Sequence, residues 1–252
     1  MPKHKVYVEP FGGAASVLMR KPRSYAEVYN DKDGEIVSLF EIMRDYGKAA
    51  ELRHRLVFTP FAREEFDLAY WDEIGPGDQI DQARKLIVRS FMGFGSDGHN
   101  ADSGKTGFRA NSNRLGTTPA HDWANYPECI SQFTERLQGV VIENRDYWEI
   151  MQQQDSPETL FFVDPPYVHE TRGAKHSYRF EMNDEQHELL LERIQSLKGM
   201  VMLCGYENEF YKRLDWHRVK RKTFADGARE RTETLWFNAA AENGLSQGEL
   251  FP

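Results

Sequence analysis

Cysteine is almost absent from this 252-residue chain: Cys129 and Cys204 are its whole complement and stand far apart. No disulfide framework is implied, and a reducing compartment fits. No apolar run approaches the roughly 20 residues of a membrane helix, and the opening MPKHKVYVEPF has no signal-peptide core. The sequence therefore predicts a soluble, cytoplasmic protein with no membrane partner. Its eight histidines show neither the HExxH nor the CxxC spacing of zinc sites, so no metal is expected. The glycine turn Gly12-Gly13-Ala14-Ala15-Ser16 lacks the third glycine of a dinucleotide-binding GxGxxG, which removes the main support for a nucleotide-dependent oxidoreductase. No internal repeat is visible.

What is present begins with charge. The net charge of −8 speaks against a nucleic-acid partner, but its distribution does not. Residues 84–114 carry a local +4 and residues 212–231 a local +5, so the rest of the chain holds −17. Two basic segments on an acidic body can form a phosphate-binding face that the global charge conceals. The plainer reading is a set of solvated charged loops.

The residue pattern predicts an α/β protein. VYVEPFGGAASVLMR reads as strand, glycine turn and helix, and AEVYNDKDGEIVSLFEIMRDY repeats the unit. Ile36, Leu39, Phe40 and Met43 fall on one helical stripe. This β-α-β-α opening predicts a doubly wound, mostly parallel sheet. From Val57 to Trp123 the pattern changes. A helix near Gln79–Phe91 is followed by a long Gly/Ser/Asn/Asp-rich stretch that reads as a functional loop or insertion. The α/β pattern resumes with a helix over Pro127–Leu137 and strands at Val140–Ile142, Thr159–Val163 and Met200–Cys204. Helices are predicted at Tyr147–Gln153 and over 184–197. HRVKRKTF and TETLWFN, joined by ADG, predict an antiparallel C-terminal hairpin. The expected division is a catalytic domain of 1–56 and 124–252 with an inserted subdomain, 57–123.

Several short motifs carry chemistry. Small residues in EPFGGAAS, between a strand and a helix, let the backbone approach a ligand closely. Asp31 ends the following strand, where a doubly wound fold binds ribose hydroxyls; Asp33 is free to cap the next helix instead. Asp146, in NRDYW, reads first as a helix cap. Asp164 ends an apolar strand and is followed by Pro165, Pro166 and Tyr167. The prolines stop the sheet ladder and stiffen the chain, which leaves a carboxylate, a carbonyl and a flat ring together. That set suits a planar aromatic amine presenting two N–H donors.

EPFGGAAS, YND, RDY, DPPY, LCGY and ETLWFN, in that order, resemble the D12-class N6-adenine-specific DNA methyltransferases, phage and prophage members above all. The resemblance implies a class I, Rossmann-like methyltransferase fold, S-adenosylmethionine as cofactor, and double-stranded DNA as partner of a monomer or weak dimer. It implies a cofactor site of Glu9, Pro10, Phe11, Gly12, Gly13, Asp31, Asp146, Tyr147 and Asp164. Asp164, Pro165, Pro166 and Tyr167 would hold a target adenine flipped out of the duplex. The insertion would recognise the target through Arg89, Lys105, Arg109, Asn111, Asn113 and Arg114, with Lys220 and Lys222 of the hairpin adding phosphate contacts. Two departures are visible. Ala15 stands where the family's FxGxG has its second glycine, and is expected to be tolerated. The Gly-Gly-Lys segment that members carry some two dozen residues before Glu-Pro-Phe has no counterpart here. A non-catalytic DNA-binding relic is thus a second expectation. A third is an amino-methyltransferase for another substrate, although those usually carry Asn or Ser at the position of Asp164.

Overall fold

The computed structural model describes residues 1–71, 77–94, 105–110, 117–168, 179–225 and 229–245, with backbone alone at 223–225 and 229–231. In chain order the elements are β1 (Val6–Glu9), α1 (Ser16–Arg20), β2 (Ala26–Asn30), α2 (Gly34–Arg44), α3 (Tyr46–Val57), α4 (Arg63–Trp71), α5 (Gln79–Met92) and α6 (Pro119–Leu137). There follow β3 (Val140–Glu143), α7 (Tyr147–Gln154), β4 (Thr159–Val163), α8 (Asp184–Gln195), β5 (Met200–Tyr206), β6 (His217–Ala225), β7 (Arg229–Phe237) and α9 (Ala239–Leu245). They form two compact units, one of residues 1–32 and most of the chain from 139 onward, the other built on 33–138.

The first unit holds a seven-stranded sheet ordered β3-β2-β1-β4-β5-β7-β6. β1 to β5 run parallel; β7 lies antiparallel between β5 and β6. The doubly wound, mostly parallel sheet and its antiparallel hairpin are thus as the sequence predicts. β4 is apolar after Thr159, as suits a strand covered on both faces: Thr159, Leu160, Phe161 and Val163 are all fully buried. Val8, Val28, Phe161, Val201, Leu203 and Trp236 make one core face against Ile150 and Met151 of α7 and Leu190, Leu191 and Ile194 of α8. Each such fully buried side chain contributes about 1.5–3 kcal/mol. Successive strand residues alternate faces, so Tyr7, Glu9, Leu160, Met200 and Met202 point the other way. α9 packs against β5 on that side. The strand order reverses at β1 and β4, which makes their carboxyl ends the switch point of the sheet.

The second unit is helical, α2 to α6. Asp33, Asp45, Asp78 and Thr118 cap four of its helices by accepting from backbone N–H groups. The buried stripe of α2 is Val37, Phe40, Ile42 and Met43, turned slightly from the predicted one. α6 starts at Pro119, eight residues before the predicted start, and runs through the buried Pro127. Thr118 as cap and Pro119 in the first turn set its beginning. α3 and α4 had no prediction.

Candidate active site

The end of β1 is organised around a buried acid. Glu9 is 3% exposed, and its Oε1 accepts from the Tyr7 hydroxyl and the Leu18 amide, each at 2.7 Å. Burial is the main force pushing Glu9 up to about 7; the two hydrogen bonds oppose it, and the charge of Asp164 adds to it. The turn that follows tolerates few side chains. A Cβ at Gly12 would come within 2.2–2.8 Å of the Tyr29 ring, and the Gly12 amide donates to the Asn30 carbonyl at 2.8 Å. Gly13 has φ +46°; its amide donates to Asp31 Oδ2 and its carbonyl accepts from the Tyr29 hydroxyl, both at 2.8 Å. A Cβ on Gly13 would meet nothing within 4 Å, so the turn presents bare backbone to open space. Ala15 has φ +52° and is fully buried. Among the described residues it is the one non-glycine at positive φ.

Asn30 ties this turn to the next loop. Its amide nitrogen donates to the Pro10 carbonyl (2.9 Å) and the Arg145 carbonyl (3.1 Å), and its Oδ1 accepts from the Arg145 amide (2.9 Å). Asp33 caps α2, so Asp31 does not serve as that cap. Asp146 is exposed and caps α7 through the Trp148 amide at 2.9 Å. Beside it the Tyr147 ring stacks on Phe11 at 4.8 Å, and its hydroxyl accepts from Arg193 at 3.0 Å. Burial raises the Tyr147 phenol against that bond.

β4 then delivers Asp164. It is half-buried, with Pro165 behind it fully enclosed. Burial pushes Asp164 up to about 6; hydrogen bonds with Cys204 and Tyr167 pull it down, and the charge of Glu233 pushes it up. Burial and the charge of Asp164 in turn drive the Cys204 thiol far above its ordinary value. The Tyr167 ring meets Tyr206 edge-on at 4.7 Å. Asp164 lies close enough for Glu9 to feel its charge, which brings the two strand-end motifs to one place. Bare backbone, a carboxylate bonded to it, a stacked ring pair and an acid with perturbed titration mark this place as a candidate site. Asn30, Tyr29, Cys204, Tyr206 and Glu233 had no role in the sequence reading, although YND, LCGY and ETLWFN contain all five.

The basic candidates separate. Arg89 is 4% exposed, donating to the Ala69 carbonyl at 3.0 Å and to Glu35; it holds the helical unit together, which takes it out of the phosphate-contacting set. Arg84 and Lys85 of the same segment pair with Asp81, so the local +4 is largely neutralised within the unit. Lys105 pairs with Asp67 at 2.6 Å, and Arg109 donates to the Phe91 carbonyl at 3.2 Å. Lys220 pairs with Glu207 at 2.8 Å, and Lys222 is exposed. Asn111, Asn113 and Arg114 lie outside the described residues. Among the described residues no group of three or more His, Cys, Asp or Glu is placed to hold a metal, and no helix is long and apolar enough to cross a membrane.

Residues 108–223 match the D12 class N6 adenine-specific DNA methyltransferase family. The match takes in Asp146, Tyr147, Asp164 to Tyr167 and Cys204, and stops short of Glu9–Gly13 at one end and Glu233 at the other. The family is one of methyltransferases, and the central sheet has the order and directions of the class I, Rossmann-like methyltransferase fold. Among solved structures, an rRNA methyltransferase, aviRa from Streptomyces viridochromogenes, is similar at 9% identity and a TM-score of 0.39, over 97% of this chain and 81% of that one. No curated protein matches the sequence.

Proposed function

We propose that the chain methylates the exocyclic N6 amino group of adenine in DNA, using S-adenosylmethionine and a base swung out of the duplex. The observation that carries this reading is Asp164, set by β4 at the switch point and followed by Pro165, Pro166 and Tyr167. Phe11, Gly12, Gly13, Asp31, Asp146 and Tyr147 would hold the cofactor. The fit rests on the open backbone at Gly13, the Asp31 carboxylate bonded beside it, and the Phe11–Tyr147 ring pair. When bound, S-adenosylmethionine supplies a methyl group activated on a sulfonium.

The chain's own part is positioning. Tyr167 offers a ring for the flipped base, and base–aromatic stacking is worth roughly 1–3 kcal/mol against an unstacking cost of a few kcal/mol. Asp164 and the Pro165 carbonyl accept the two amino protons and draw the nitrogen lone pair out of the ring. With its carboxyl pushed to about 6, Asp164 is ionised at pH 7–8 and can take the proton that the amino nitrogen sheds. Orientation and electrostatics then account for most of the rate. Lys105, Arg109, Lys220 and Lys222 supply phosphate contacts, and residues 57–123 target recognition.

The test is incubation with methyl-labelled S-adenosylmethionine and DNA of mixed sequence, followed by mapping of modified bases. Label on adenine N6, lost in Asp164→Ala, is expected. Label on another base, or an active Asp164→Ala variant, would overturn the reading.

A further inference from the structure

The acid at the end of β4 has a second acid near it, Glu233, the first residue of ETLWFN. Cys204 and Tyr206 alternate with Leu203 and Gly205 along β5, so they share the face opposite the α8 core. In the antiparallel pairing of β5 with β7, Leu235 lies opposite Cys204 and Glu233 opposite Tyr206. Directly opposed residues on one sheet face have Cβ atoms about 4.5–5.5 Å apart. Tyr206 contacts the Tyr167 ring, and the parallel pairing of Val163 with Leu203 carries Asp164 alongside Cys204. One row on one face therefore runs Asp164, Cys204, Tyr206, Glu233, with Glu9 at its far end on β1.

We propose that Glu233 and Cys204 are positioning residues for Asp164: the thiol donates to its carboxylate, and Glu233 adds a second negative charge to the same pocket. The inference rests on the methyl-transfer reading for the meaning of Asp164, not for the arrangement itself. The two residues oppose each other. Cys204 favours the ionised carboxylate and Glu233 the protonated one, which keeps Asp164 basic while fixing its orientation. The other titratable groups facing Asp164 are Tyr167 from its own loop, Glu9 from β1 and Tyr211 from the turn after β5. A pocket lined by acids also favours an amino group and repels an anionic ligand.

The experiment follows the Asp164 carboxyl by carbon NMR titration in the full chain, assigned against Asp164→Asn, alongside the pH profile of methyl transfer. Glu233→Gln should move the titration and the acid limb of the profile to lower pH by about half a unit or more. Cys204→Ala should move both to higher pH, and Cys204→Ser, which keeps a donor, should restore them. An Asp164 titration unchanged by both Glu233→Gln and Cys204→Ala would overturn the proposal. Should the wild-type chain transfer no methyl group, the functional reading falls, while the NMR titration still decides this one.

Discussion

Buried charges are treated differently in the two units. In the helical unit they are paired: Arg89 with Glu35, Lys85 and Arg84 with Asp81, Arg84 with Glu65. In the sheet unit, at the carboxyl ends of β1 and β4, Glu9 and Asp164 meet amides, phenols, a thiol and other acids. Among the described groups that act on Glu9, the cation Lys21 ranks below burial, the two hydrogen bonds and the charge of Asp164. At the beginning of β2 the same unit pairs a buried charge as the helical unit does, with Lys21 and Glu27 at 2.5 Å. Paired burial builds the fold; burial without a strong counter-charge raises the affinity of a carboxyl group for its proton. That difference, more than any single motif, separates architecture from chemistry here.

The contrast can be broken from either side. Arg89→Met leaves Glu35 without its buried partner and should cost about 3 kcal/mol, read by denaturant unfolding, with DNA affinity unchanged. Asn30→Ala removes neutral hydrogen bonds that clamp the Pro10 and Arg145 loops. It should cost about 2 kcal/mol and weaken S-adenosylmethionine binding in calorimetry. Ala15→Gly should stabilise the chain by about 0.5–1 kcal/mol, because relief of a left-handed alanine outweighs the added chain entropy. Smallest is Lys105→Ala, which should leave stability nearly unchanged and reduce the salt dependence of DNA binding by a slope of about one.

The sheet was legible because its strands are apolar runs closed by polar turns, and β4 and β5 fall almost where the periodicity places them. α8, expected over 184–197, buries His187, Leu190, Leu191 and Ile194 at helical spacing. The helical unit was harder. α3 buries only Ala49, Leu52 and Leu56 along its twelve residues, and Pro127 looked like a helix start when it is an interior residue. DPPY and EPFGG announced the site, since proline and glycine act locally. Glu233 did not, because its place depends on cross-strand register that no local pattern encodes. Charge counting misled for a related reason: Arg84 and Lys85 pair with Asp81 just outside the window, Arg84 also with Glu65 and Arg89 with Glu35, and a window sum cannot see them.

The central claim is that Asp164 is kept for chemistry at a cost in stability. Its folded carboxyl titrates near 6, above the ordinary aspartate value. Folding therefore becomes less favourable as pH rises from about 4 through 6, and the full cost remains above that window. The direct measurement is unfolding of the wild type and Asp164→Asn at pH 8 and at pH 4, together with methyl transfer at pH 8. The account predicts that Asp164→Asn is more stable by about 3 kcal/mol at pH 8, equal to wild type at pH 4, and at least a hundredfold slower in transfer. A variant less stable at pH 8, or one that still transfers at the wild-type rate, would contradict it.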